Sequence, residues 1–230
     1  IAPVGVPAPV SFSSRSLGSD TLVFQGEFNF DDWSGDLKAY KLKDDGSLGD
    51  QKWRAADRLN TPEGWNPSNT YNWTSHNVEE SAESGGRQFV WDDGTPDTHK
   101  ADLTYDGDTE LGEKRLNYLR GYDNSEIVDG DTFRDRGDSR LGDIFRSRPV
   151  YVGEPNLAWP DTANFGSATA RYSDFSKDTD RDSIVYVGAN DGALHGFDAS
   201  NGTEVLRYFP GNLYDSSEKE AGYHFLTYPD

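Results

Sequence analysis

Residues Ile184 to Phe209 read IVYVGANDGALHGFDASNGTEVLRYF, and this stretch decides the fold. Ile184, Val185, Tyr186 and Val187 form a run of β-branched and aromatic residues that ends at Gly188. Asn190-Asp191-Gly192 follows as a turn, and a second strand runs to Asp198. Asn201-Gly202 turns the chain again, and Val205 to Phe209 makes a third strand. Asn-Gly and Asp-Gly between such runs signal hairpins, because these residues tolerate the positive φ that tight hairpin turns require. The stretch therefore predicts a β-meander.

The pattern recurs. Gly35-Asp36-Leu37-Lys38-Ala39-Tyr40, then Asp45-Gly46-Ser47, parallels Gly192-Ala193-Leu194-His195-Gly196-Phe197, then Asn201-Gly202-Thr203, with the turn glycine offset by one residue. A recurring strand unit of this kind predicts propeller blades. Composition agrees. Only 33% of the 230 residues are apolar, yet there are 6 Trp, 12 Tyr and 12 Phe, too many aromatics for a disordered chain. Asp-Gly steps at Asp45, Asp93, Asp106, Asp129 and Asp191 favour short strands joined by turns. The expected fold is mainly β: several antiparallel blades of a partial propeller, with long acidic loops and one short helix.

The net charge of -19 sets such a surface against phosphate backbones and anionic membranes, so neither nucleic-acid binding nor direct membrane insertion is expected. The charge is spread along the chain, which fits solubility in a salty medium; cation binding by some carboxylates is the sharper alternative. Cysteine is absent, which removes disulfides, thiol catalysis and thiolate metal sites. With no Met even at position 1, the chain reads as a mature piece or a fragment. No signal peptide and no membrane-length apolar run is seen in it.

Along the chain, residues 1–10 are Pro-rich and read as a linker or the edge of a first strand, with 11–230 as the folded part. Thr21 to Asn29 alternates as a strand, placing Leu22, Phe24, Gly26 and Phe28 on one face. Asp36 to Leu42 is the next strand, and Trp53 to Leu59 a strand end or a short helical turn. Asn60 to Gly86 is a polar loop in which Trp65 and Trp73 serve to pin the loop to the body. Arg87 to Trp91 reads as a short strand and Asp92 to Asp108 as an acidic loop. A helix is expected over about Thr109 to Arg120, from the spacing of Leu111, Leu116 and Leu119, the early Glu110 and Glu113, and Gly121 as its stop. Arg148 to Gly153 reads as a strand and Glu154 to Asp182 as mostly loop.

Four blocks in order carry a resemblance. They are Asp32-Trp33-Ser34-Gly35-Asp36-Leu37 with Ala39-Tyr40; Tyr118-Leu119-Arg120-Gly121; Phe133-Arg134-Asp135-Arg136 with Leu141-Gly142-Asp143-Ile144; and Pro149 to Gly153 with Tyr186 to Gly192. In this order they resemble the C-terminal β-propeller of the PilY/PilC family, the type IV pilus tip-associated proteins. The resemblance runs from about residue 10 to the end. It implies a shape related to quinoprotein dehydrogenases and a non-enzymatic component at the bacterial cell surface, reached through the periplasm. It further implies support of pilus assembly, adhesion and twitching motility, with minor pilins or the pilus tip complex as partners. A host or surface ligand and the missing half of the propeller are further candidates. Trp33, Gly35, Asp36, Gly142, Asp143, Asn190, Asp191 and Gly192 fall on the family's structural motif. The family's own calcium loop, an acidic segment of a later blade, is not found here.

Other motifs are weaker. Asp178, Asp180 and Asp182 hold the first ligand spacings of a calcium loop, since alternate carboxylates of a tight loop converge on a hard cation. Ser183 stands where that loop needs Gly, and Ala189 where it needs Glu. A solvated turn before a strand is the weightier reading. Asp31, Asp32 and Asp36 around Trp33 suit strand-end capping better than a cation. Arg136-Gly137-Asp138 spells an adhesion tripeptide, but Arg136 beside Arg134 fits a structural salt bridge better. His195, between Leu194 and Gly196, reads as a packed or edge histidine, and no nucleophile elbow is present. A quinone-dependent dehydrogenase is the enzymatic alternative, resting on Tyr186 to Gly192 with Phe197-Asp198-Ala199. A propeller fragment acting as a filament-associated structural protein is the third reading.

Overall fold

The computed structural model describes residues 10–14, 20–28, 34–73, 87–89, 91, 97–122, 133, 134, 136, 139–155, 157, 159–161, 171–178 and 181–228. Two sheets form its body. The first is a four-stranded antiparallel meander, β1 (Val10–Phe12), β2 (Leu22–Phe28), β3 (Gly35–Leu42) and β4 (Leu48–Arg54). The second has six strands in the order β6-β5-β10-β9-β8-β7. Its antiparallel part joins β7 (Val150–Val152), β8 (Ile184–Gly188), β9 (Leu194–Asp198) and β10 (Glu204–Pro210). The short strands β5 (Thr70–Trp73) and β6 (Arg87–Gln88) extend it, with β5 parallel to β10. The protein is thus mainly β and consistent with a partial propeller; no closed propeller is formed among the described residues.

The expected meander is present. Gly192 and Gly202 occupy the turns at φ 87° and 79°, the left-handed region that a β-carbon disfavours. The recurrence between the two sheets holds at the level of strands, since β3 and β9 are both inner strands of their sheets. It fails at the level of side-chain phase. Leu37 and Ala39 of β3 are fully buried, whereas Leu194 is exposed and His195 and Phe197 are the buried side chains of β9. A one-residue change of phase exchanges the two faces of a strand, so the matched leucines point opposite ways.

The two sheets pack through one apolar core: Phe24, Leu37, Ala39 and Trp53 from the first meet Val185, Val187, Phe197 and Ala199 from the second. Trp53 is the central side chain of this contact. Its Nε1 donates to the Ala199 carbonyl at 2.9 Å, and its ring lies 6.2 Å from that of Phe197. Trp33, the tryptophan singled out from the sequence, lies outside the described residues. Helix α1 (Ala55–Leu59) follows β4 directly and buries Ala55, Ala56 and Leu59.

A second core continues along the same face of the six-stranded sheet, beyond His195 and Arg207. It gathers Phe209 of β10 and Ala193 with Leu103, Leu116, Leu119 and Tyr223. Leu103 ends helix α2 (Asp97–Leu103), which corrects the reading of Asp92 to Asp108 as a loop throughout. Leu116 and Leu119 belong to α3 (Thr109–Leu119), the helix expected from the sequence. Its N-cap is Asp108, whose carboxylate accepts from the Leu111 amide at 3.0 Å. A further helix, α4 (Tyr172–Asp178), lies within the stretch read as mostly loop, and Tyr223 is the second residue of the short α5 (Gly222–Phe225). No helix among the described residues is long and apolar enough to cross a membrane.

Candidate functional site

Five of the eight family-motif residues, Gly35, Gly142, Asp143, Asn190 and Asp191, meet at one junction. The Ser34–Gly142 bridge joins the start of β3 to the connection that runs from residue 139 to 144. Gly35 donates to the Leu141 carbonyl at 3.2 Å, and Ser139 Oγ donates back to the Gly35 carbonyl at 3.0 Å. Contact here is too close for any side chain: a β-carbon on Gly35 would stand 2.0 Å from the Gly142 carbonyl oxygen. One on Gly142 would stand 2.5 Å from the Asp191 amide nitrogen. Glycine at both positions lets three backbone segments share one crossing.

The turn between β8 and β9 closes the junction. Asp191 accepts from the Gly142 amide at 3.1 Å and from the Ala193 amide at 3.1 Å. Asn190 donates from its amide to the Asp143 carbonyl at 2.9 Å and from Nδ2 to the Asp143 carboxylate at 2.6 Å. Burial pushes the Asp143 carboxyl up from its ordinary value, against the hydrogen bond from Asn190. Asp36 stands apart from this junction. It pairs with Arg54 and accepts from the Ala56 amide at 3.2 Å, so it holds α1 against the first sheet. Burial raises its pKa as well, opposed by the hydrogen bond and charge of Arg54.

Asp191 also opens onto a charged cluster that the sequence reading did not find. His195, fully buried on β9, faces Asp191 with one ring nitrogen and Glu204 with the other. Arg207, also buried, donates to Glu204 at 3.2 Å and to the carbonyls of Leu119 and Arg140 at 3.2 and 3.3 Å. A second buried pair joins His224 to Asp102 at 2.6 Å, and Asp102 accepts from the amides of Asp215, Tyr223 and His224 too. The Tyr105 ring stacks on His224 at 4.4 Å. The expectation of a packed histidine at position 195 is right, but its ionic surroundings are missed. No spacing rule connects Asp191 and His195 with Glu204 and Arg207 before the hairpins are folded.

The remaining sequence candidates separate. Arg136 is half-buried; its guanidinium lies 3.5 Å from the centre of the Tyr118 ring and donates to the Tyr118 carbonyl at 2.9 Å. Among the described residues Arg136 is thus held by aromatic stacking and backbone carbonyls, while Gly137 and Asp138 lie outside the described residues. Of the carboxylates with calcium-loop spacing, Asp182 is exposed; Asp180 and the side chain of Asp178 lie outside the described residues. No group of three or more metal-ligating side chains is assembled among the described residues. Trp65 pins its loop as expected, donating to the Arg120 carbonyl at 3.2 Å under the Arg140 guanidinium. Trp73 lies in β5.

Among the described residues, glycine crossings, amide-capping carboxylates and histidine–carboxylate pairs hold a two-sheet domain together. No family model and no solved structure matches the chain. Curated relatives do. It is 31% identical over 228 residues to a protein of Xylella fastidiosa named type IV pilus biogenesis factor PilY1 homolog, covering 97% of this chain and 17% of that protein. It is 31% identical over 235 residues to type IV pilus biogenesis factor PilY1 of Pseudomonas aeruginosa, covering 94% of this chain and 19% of that protein. A further Xylella fastidiosa homolog is 29% identical over 223 residues, covering 79% of this chain. The chain is a PilY1-type domain, as the resemblance in its sequence implied. It spans less than a fifth of the length of these relatives.

Proposed function

We propose that this chain is a non-enzymatic structural domain of a type IV pilus biogenesis factor, acting at the bacterial cell surface at the pilus tip after passage through the periplasm. One observation carries the reading: proteins named for pilus biogenesis align with nearly the whole chain, not with one motif of it. The geometry supports it. Asp36, Asp102, Asp191 and His195 serve backbone amides or one another, so none of them is poised toward a substrate.

In this reading the domain supports pilus assembly, and through it adhesion and twitching motility. Its partners are the rest of the longer protein, minor pilins or other components of the tip complex, and a surface ligand held elsewhere on that protein. The edge strands fit such a role. Val10 and Phe12 of β1 and Val150 of β7 are exposed apolar residues beside the seam where these two edge strands adjoin, the Tyr151 amide donating to Ser11 Oγ at 3.3 Å, and such a patch suits a partner. Calcium is the cation to test, at Asp178, Asp180 and Asp182. Calorimetric titration decides that point: saturable heat lost in Asp180→Asn supports a site there, and no heat removes it.

The functional test is an in-frame deletion of this segment from the full-length protein in its own bacterium. The expected result is loss of surface pili and twitching while the shortened protein is still made, as seen by immunoblot. Normal piliation with the shortened protein present would overturn the reading.

A further inference from the structure

β10 carries an irregularity between Glu204 and Leu206. A bulge inserts one residue and re-aims those after it. Glu204 and Arg207, three positions apart, consequently both turn into the interior. His195 on the neighbouring strand lies between the two carboxylates. Its Nδ1 is 2.7 Å from Glu204 Oε1, and its Nε2 is 3.1 and 3.0 Å from the two Asp191 oxygens. A neutral imidazole has one N–H and one lone pair. Facing a carboxylate at each nitrogen, the ring satisfies both only when both nitrogens carry a proton. His195 and Arg207 then balance Asp191 and Glu204, two cations against two anions, all at most 8% exposed.

The four side chains also tie separate parts of the molecule. Asp191 receives the Gly142 amide from the connection. Arg207 reaches the Leu119 carbonyl at the last residue of α3, and the Arg140 carbonyl. Phe197 beside them belongs to the core between the sheets, and Ala193 and Phe209 to the core under the helices. We propose that Asp191, His195, Glu204 and Arg207 form a proton-dependent latch that locks the six-stranded sheet to α3 and to the connection, closed while His195 is doubly protonated and loosened when it loses a proton. This goes beyond the pilus reading and does not depend on it.

Every charged group facing the ring counts. Asp191 comes from the β8–β9 turn, and Glu204 and Arg207 from β10. Arg136 and Asp143, on the segments before β7, act on Asp191 through their charges. The Phe197 ring, 6.1 Å away and nearly parallel, adds no charge. Burial by itself would push the imidazolium pKa down, but the Asp191 and Glu204 charges and hydrogen bonds overcome it and hold it above the ordinary value. Burial likewise opposes the ionised Glu204 and Asp191, and Arg207 and His195 outweigh it, so both carboxyls are held below their usual range.

The signs follow by linkage. A histidine with a raised folded pKa stabilises fully below its ordinary value of about 6.5, and that contribution is lost as pH rises through the folded value. Carboxylates with depressed values stabilise fully above about pH 4, and lose this as pH falls through the folded values. The latch is therefore strongest between about pH 4.5 and 6.5, and opens on the alkaline side first through His195.

Two readouts test it on the 230-residue chain. With ¹⁵N-labelled histidine, the His195 ring should show two protonated nitrogens at about pH 7.5, where an ordinary histidine is mostly neutral. The melting temperature should fall as pH rises from 6 to 9, and His195→Gln, which cannot carry the charge, should reduce that fall. A His195 ring that is neutral at pH 6 would overturn the proposal, as would an equally steep fall in a folded His195→Gln chain. Should that variant fail to fold, the ring spectrum of the unaltered protein decides alone.

Discussion

The Gly142 amide donates to the Asp191 carboxylate at 3.1 Å across 49 residues of chain, and the same carboxylate faces His195. One side chain thus holds a backbone crossing with one oxygen and a buried cation with the pair. The crossing admits no β-carbon at Gly142 or Gly35. Gly142→Ala should destabilise the fold by about 2–3 kcal/mol through overpacking against backbone that cannot move aside. Gly35→Ala should cost at least as much, since the clash is with a carbonyl oxygen. Gly46→Ala is a control with open space for the new methyl, although its positive φ carries a smaller cost. Urea unfolding of the three variants checks the order.

Trp53 joins the two sheets, packing with Phe24 of the first and Phe197 of the second. Trp53→Ala should lose about 3–5 kcal/mol of stability from the emptied inter-sheet core. For a chain of this size that lowers the melting temperature by roughly 10 °C. Trp53→Phe should retain most of the packing but leave the Ala199 carbonyl without its donor, costing about 1–3 kcal/mol. Thermal melting by circular dichroism measures both.

Arg136 serves the fold through the face of Tyr118. Arg136→Lys keeps the charge but loses the planar stack and its aligned donor, so it should cost about 1–2 kcal/mol. Arg136→Ala should cost more. Cell adhesion of a folded Arg136→Lys protein should be unchanged; lost adhesion with unchanged melting would give the tripeptide a ligand-binding role instead.

Asp102 gathers three backbone amides and His224, and it is fully buried. Asp102→Ala should release the segment from Asp215 to Phe225 from α2, at about 3 kcal/mol or more from unsatisfied donors. Hydrogen exchange should show faster exchange at Tyr223 and His224, with β2 and β3 little changed.

Local chemistry made part of this legible. Asn201-Gly202 and Asp191-Gly192 mark their turns locally, and the leucine spacing with Glu110 and Gly121 marks α3, whose Asp108 cap only the structure shows. What the sequence left hidden depends on partners distant in the chain. β5 is a strand because β10 lies beside it, and nothing in Thr70 to Trp73 announces a parallel partner. The matched leucines Leu37 and Leu194 have opposite surroundings, since the phase of each strand is set by the face that the other sheet covers. The motif glycines were visible as a pattern, but their shared crossing was not. The ionic role of His195 was hidden because Glu204 reaches it only across the β9–β10 hairpin and its bulge.

The most direct test of the account is surface piliation of a strain whose full-length protein carries Gly142→Val, beside a strain carrying the exposed change Asp50→Asn. A structural domain built on the Gly142–Asp191 crossing predicts that pili are lost in the first and kept in the second. Full piliation with Gly142→Val, in a chain shown to be unfolded by that change, would contradict it.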